Sequence, residues 1–255
     1  MRKVTSYRDS HTEEGKGTAY DEHYRTESWR KILWNQEQLV LSSILDIYFK
    51  NHVINLLDFA CGTGRITSFL ENRVETSTAV DVSKTMLDEA KKKLKRTKII
   101  QADLTKNNVL EDRKFNLITA FRFFLNAEPG LRTETLQMLV SLLSKDGYIV
   151  FNNHRNKTSP LVWPKYFYHN NIRKRNVQFM SYSEIKEMTG QAGIEIIRIY
   201  PVGLLSLPRI KLPEKLSRNI DNMAMKFRFS GIFSESPVVV CRHCQDIRNN
   251  KYIRR

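Results

Sequence analysis

Cysteine is scarce in this sequence, three in 255 residues. That excludes a disulfide scaffold and suits a reducing compartment. Cys241 and Cys244 form a lone CxxC in "CRHC". Structural zinc takes about four ligands and no second pair is present, so the pair is read as a strand end and no metal is expected. No apolar run approaches the ~18 residues of a membrane-spanning helix. The opening "MRKVTSYRDSHTEEGKG" has no apolar core, so no secretory signal is expected. Internal repeats and low-complexity linkers are absent. Acid is outnumbered by base, with a formal net charge of +15. An excess of that size points to an anionic partner: nucleic acid, a membrane surface, or a phosphorylated or carboxylated substrate. Part of it has a plain origin. "KTMLDEAKKKLKRTK" sets Met86, Leu87, Ala90 and Leu94 on one helical face and its lysines on a solvated opposite face.

What is present is an alternation. A helical stretch runs from Tyr20 to Lys50, with Leu33, Leu41, Ile44, Leu45 and Tyr48 in mostly helical spacing. Then "INLLDF", "TSTAVD", "KIIQ", "FNLITAF" and "GYIVFN" read as strands, with helices over 65–72, 84–95 and 131–143 between them. "SYSEIKEMTGQAG" reads as a helix opened by Ser181 or Ser183 and closed at Gly193, followed by strands "IEIIRIY" and "SPVVVCRH". Such alternation predicts an α/β fold with a Rossmann-like, doubly wound, seven-stranded and mostly parallel sheet, helices covering both faces. Residues 1–50 are expected to form an N-terminal segment and helical lid, 51–244 the main domain, and 245–255 a basic tail. Two insertions, 155–180 and 201–234, break the pattern, and specificity tends to reside in such loops.

The stretch "LLDFACGTGR" carries the chemistry. A helix opening after Gly64 would aim free N–H groups at the sheet edge, and glycine admits a ligand close to the backbone. The dinucleotide pattern G-x-G-x-x-G fails, because Thr67 stands at its third glycine, and no G-x-x-x-x-G-K-[ST] phosphate loop exists. Asp58 precedes the turn. A carboxylate there repels a pyrophosphate and suits a ligand with an ammonium group. Asp81 ends the second strand, placed to accept from ribose hydroxyls, and Asp103 in "QADL" is placed to accept from an adenine amino group. Three acids at three strand ends describe a nucleoside with a cationic tail.

These segments, with "AVDVSKTML", "IIQADL", "FNLITAF" and "LLSKDGYIVFNNH", resemble the class I S-adenosylmethionine (SAM)-dependent methyltransferases in order and spacing. The resemblance implies SAM as cofactor and S-adenosylhomocysteine as product. By it the methionine part falls on Gly62 and Gly64, the ribose on Asp81, and the adenine on Asp103 and Leu104. Asp58, Ala60, Cys61, Val82, Met86 and Phe121 complete the expected cofactor set. Ala60 stands where the family has its first glycine.

The acceptor is approached through fewer clues. An alcohol must lose its proton as it attacks, which favours a general base. His154 in "IVFNNHRN", at the carboxyl edge, is the first candidate, with Asn152 and Asn153 beside it to orient it or the substrate; His169 in "YFYHNN" is the second. Arg122 and Asn126 could bind acceptor oxygens. No Asn-Pro-Pro-aromatic stretch follows the fourth strand, which argues against adenine or glutamine N-methylation. Arg155, Lys157, Lys165, Arg173, Lys174 and Arg175 interleave with Trp163, Tyr166, Phe167 and Tyr168, and no acid accompanies them. The reading is O-methylation of an anionic sugar or glycan, a surface polysaccharide or lipid-linked glycan, or a related metabolite. It implies polysaccharide biosynthesis by a cytoplasmic protein in peripheral contact with an anionic membrane at its inner face. RNA methylation and a non-catalytic SAM-binding partner subunit stand as alternatives. Leu212, Leu216, Ile220, Met223 and Phe227 form one helical stripe, expected to be buried as a cap over the site; an interfacial helix is the alternative.

Overall fold

The computed structural model describes residues 28–173, 177–204 and 214–244. Helix α1 (Ser28–Tyr48) leads into an alternating series: β1 (Asn55–Phe59), α2 (Arg65–Leu70), β2 (Thr76–Asp81), α3 (Lys84–Lys93), β3 (Lys98–Gln101), β4 (Phe115–Ala120), α4 (Pro129–Leu142) and β5 (Leu143–Asn152). After the first insertion, with its short helix α5 (Trp163–Phe167), come α6 (Tyr182–Gln191), β6 (Ile194–Tyr200), α7 (Glu214–Ala224) and β7 (Val238–His243). The strands form one sheet in the order β3-β2-β1-β4-β5-β7-β6. Strands β1 to β5 are mutually parallel, and β7 runs antiparallel between β5 and β6.

Parallel strands covered on both faces read as continuous apolar runs, and "NLLDF" and "TSTAVD" are buried along nearly their whole length. On one face α1 sets Leu33, Val40, Leu41 and Ile44 against Leu56, Ile66, Leu70, Val150 and Val238. On the other, Leu136 and Leu139 of α4 pack with Leu57, Ile118, Ile149 and Phe151. The expected face of α3 is inward, Leu87, Ala90 and Leu94 lying against Cys61 and Ala79. Its lysines stay at the surface, in pairs such as Lys91–Asp88 at 3.1 Å. Ser181 caps α6 in a reciprocal box with Glu184, and Gly193 follows in the left-handed region. Strand β5 starts at Leu143, directly after α4, earlier than the "GYIVFN" stretch alone suggests. Among the described residues no helix is long and apolar enough to cross a membrane.

Helix α7 departs from expectation. Its stripe does not cap the protein: Leu216, Met223 and Phe227 are 46%, 62% and 67% exposed, and Leu212 lies outside the described residues. Asp221 faces in instead. It is buried and accepts from the backbone N–H of Gly203 (3.1 Å) and Leu204 (3.0 Å), just past the end of β6. Those two bonds fix the helix's rotation and turn its apolar side out. Burial pushes the Asp221 carboxyl up to about 6.

Candidate active site

The turn after β1 bends through three residues in the left-handed region, Ala60 (φ 52°), Gly62 (φ 56°) and Gly64 (φ 74°). An alanine costs about 1–2 kcal/mol there, which glycine does not incur. The two glycines serve different ends. A side chain at Gly62 would meet nothing within 4 Å, so this glycine opens the backbone to a ligand. One at Gly64 would press on Ala90 and Leu94 at 3.1 Å, so this glycine lets α2 start close to α3. Gly64 therefore does not line the cavity, contrary to its expected contact with the cofactor, because its open side is already filled by α3.

Two adjoining cavities occupy the carboxyl edge. The first is lined by Asp58, Ala60, Cys61, Gly62, Thr63, Arg65, Ile66, Asp81, Met86, Phe121, Arg122 and Asn126. The second is lined by Phe59, Ala60, Val80, Asp81, Val82, Ala102, Asp103, Leu104, Thr105, Phe123, Leu131 and Thr135. Ala60 and Asp81 belong to both. Asp81 thus stands at the boundary, where the ribose of a nucleoside would join its two ends. Its oxygens accept from the N–H of Gly62 and of Ser83, each at 2.8 Å, tying the glycine turn to the start of α3. Asp103 is braced by Thr105, whose hydroxyl donates at 2.6 Å. The Thr135 hydroxyl is buried on the second cavity wall and has no hydrogen-bond partner among the described residues. An unmatched buried polar atom in a mostly apolar slot fits a heterocycle able to bond to it.

Asp58 lies deeper than an acid meeting a ligand directly. Its two oxygens accept from the hydroxyls of Thr67 and Thr119. Full burial pushes its carboxyl up to about 6, against the pull of both hydroxyls and the Arg65 charge. Burial, with Asp81 and Asp58 nearby, also keeps the Cys61 thiol protonated.

A buried relay joins this half to the other. Glu37 of α1 is 1% exposed, yet it receives Arg65 Nη1 at 2.6 Å and Asn152 Nδ2 at 3.1 Å. The Arg65 guanidinium lies over the Trp34 ring, 4.2 Å from its centroid. Asn152 Oδ1 accepts from the backbone N–H of Arg122 at 2.7 Å, which holds Arg122 at φ 61° on the first cavity wall. Asn152 therefore orients Arg122 and not His154. Asn153 donates to Met180 O at 2.7 Å, anchoring the first insertion.

His154 sits among cations. Burial first, then Arg122, Arg155, Lys165 and Arg30, depress its pKa well below the usual histidine value. Its Nδ1 is buried without a partner among the described residues, as is Asn153 Oδ1. Arg155, a residue the sequence did not single out as a site, is largely buried and donates to neutral acceptors, Gln178 O (2.9 Å) and Asn126 Oδ1 (2.7 Å). Burial and the neighbouring Arg122 lower it to about 10. Neither His154 nor His169 lines either cavity; the His169 ring lies edge-on to Tyr168 in the outer turn of the insertion.

Sheet order, glycine turn and paired cavities define an open α/β domain with a two-part crevice at its carboxyl edge. Residues 56–147 match the model of a methyltransferase domain family. Solved structures agree in fold across almost the whole chain. Magnesium protoporphyrin IX methyltransferase from Synechocystis PCC 6803, with bound S-adenosylhomocysteine, has a TM-score of 0.60 at 14% identity, covering 89% of this chain and 94% of that one. A SAM-dependent methyltransferase from Thermotoga maritima has 0.62 at 14%, covering 88% and 94%. A TehB-like SAM-dependent methyltransferase from Corynebacterium glutamicum has 0.54 at 18%, covering 89% and 100%. No curated protein matches the chain. Residues 56–147 thus carry a methyltransferase domain, and the chain as a whole shares the fold of SAM-dependent methyltransferases.

Proposed function

We propose that the protein transfers a methyl group from SAM to an oxygen of an anionic acceptor, a sugar or glycan, either part of a surface polysaccharide or linked to lipid. SAM supplies a methyl already activated by its sulfonium, so the chain's own task is alignment and proton removal. Asp81 would take the ribose hydroxyls at the boundary between the cavities. Asp103, Leu104 and Thr135 would hold the adenine, and Gly62 would give the methionine part close approach.

The observation that carries the acceptor reading is the group of cations around His154. Arg122 and Arg155 lie close enough to repel each other, and among the described residues Arg155 donates to neutral partners, Gln178 and Asn126. Like charges held together in a half-dry site are relieved by an anion, and guanidinium groups take carboxylate or phosphate by two parallel bonds. Lys165, anchored on Glu235 at 3.1 Å, adds charge at the rim. His154, kept neutral by burial and by the same cations, can receive the acceptor's proton. A lipid-linked acceptor would bring the protein to an anionic membrane at its cytoplasmic face.

Tritiated-methyl transfer from SAM into cell extract separated by anion exchange tests this. Label should enter acidic saccharide fractions. Arg155→Leu should lower labelling at limiting acceptor by about tenfold or more, leaving SAM affinity unchanged. Label confined to neutral compounds would reject the anionic acceptor, and nuclease-sensitive label would favour RNA.

A further inference from the structure

Two insertions meet beside the cation-lined edge, and both turn apolar side chains outward. In the first, Trp163, Phe167 and Ile172 are exposed; in the second, Leu216, Met223 and Phe227 are. The segments are stitched together. Asn156 Nδ2 donates to Ile232 O (2.7 Å) and Ser234 O (2.9 Å), and Lys165 pairs with Glu235. Phe233, 58% exposed, sits in this seam. Residues 155–173 and 222–234 contain no acid, while Lys157, Lys165, Arg173, Lys226 and Arg228 are interspersed. The carboxylates that flank the second span, Asp221 and Glu235, are buried and engaged.

From this surface we infer that the protein docks on an anionic lipid bilayer, α7 lying in the headgroup plane with Leu216, Met223 and Phe227 in the acyl boundary and the first insertion's Trp163 and Phe167 beside it. Three observations favour lipid over other occupants. The apolar groups are exposed and line neither cavity of the carboxyl edge. Basic residues accompany them, and residues 155–173 and 222–234 carry no acid, which suits anionic headgroups. Leu216, Met223 and Ile172 are aliphatic; they gain from a hydrocarbon boundary but cannot stack on bases as a nucleic-acid surface requires. The inverted helix explains why a stripe this apolar stays uncovered: Asp221 holds it outward. The inference rests on this surface alone and stands whichever acceptor is methylated.

Flotation of the full chain with vesicles of phosphatidylcholine, alone or mixed with phosphatidylglycerol, tests it without acceptor. The protein should float with the mixed vesicles and not with phosphatidylcholine alone. Met223→Ser with Phe227→Ser keeps every charge and should lower the bound fraction at least about tenfold, with SAM affinity unchanged by calorimetry. Phe227→Ser alone, just outside the helix, gives the same test at smaller amplitude should the double variant be poorly folded. Equal flotation of wild type and variants, or none with either vesicle, would overturn the proposal. So would a stable dimer that the variants dissolve, or displacement from vesicles by single-stranded RNA in a manner dependent on Trp163 and Phe167 alone.

Discussion

The carboxyl edge of the sheet is built in two different ways. Over β1, β2 and β3 the ligand would meet backbone N–H groups and acids: the Gly62 turn, Asp81 and Asp103. Over β4 and β5 it would meet cations: Arg122, Arg155 and Lys165 around His154. A cofactor with a sulfonium and an ammonium calls for the first surface, and an anionic acceptor for the second. On the proposed reading, holding the two signs apart on one edge would bring a cationic methyl donor and an anionic acceptor together, each drawn to its own half. The halves also differ in rigidity of definition. The acids are fixed by short local bonds, whereas Arg122 depends on a relay that begins in α1.

The sharpest way to break this division is at the boundary acid. Asp81→Ala should weaken SAM binding by about 10² or more, since a charged acceptor shared by two ligand hydroxyls is lost, and circular dichroism should show the fold retained. Unchanged affinity by calorimetry would remove the ribose role. On the other half, His154→Ala should lower kcat by about 10² with SAM affinity little changed. The pH profile sharpens this. The neutral imidazole is the base, and its pKa is depressed, so the wild-type rate should stay level through pH ~6.5 and fall only at lower pH. A fall centred at or above that value would refute a base held among cations. The smallest effect concerns the floor of the cofactor half. The Asp58 carboxyl is raised to about 6, so its contribution to stability is complete below its unfolded value and lost as pH rises through about 6. Asp58→Asn should therefore exceed wild type by about 1–3 kcal/mol at pH 7 in denaturant unfolding without cofactor. The gain should vanish near pH 4.

The cofactor half was legible because its signals are local. Strand, acid, glycine and helix follow one another in "LLDFACGTGR", and period and turn chemistry suffice to read them. Asp81 and Asp103 could be placed from their strand ends alone. The roles of Gly64 and Asp58 were not visible, since one depends on the distance to Ala90 and the other on Thr119, far along the chain. The acceptor half is assembled from distant segments, and sequence reading reached only its edge residues, His154 and Arg122. Arg155 was read as one more basic loop residue. Glu37 did leave a trace: an acid between Leu33 and Leu41 interrupts an otherwise apolar face, a sign that it is buried with a partner. The orientation of α7 was misread for a related reason. The stripe itself is unmistakable, but which side faces in is decided by Asp221 and two N–H groups beyond β6.

The relay from Glu37 to Arg65 and Asn152 also sets the smallest portable unit of this enzyme. The family match spans residues 56–147, yet a chain trimmed to that span would lack both α1 and the end of β5. Arg65 would lose its carboxylate and Arg122 the amide that holds its backbone in place. Grafting, splitting or recombining the domain therefore has to carry the helix from Ser28 and the strand through Asn152 together. The functional module is longer at both ends than the stretch by which it is recognised.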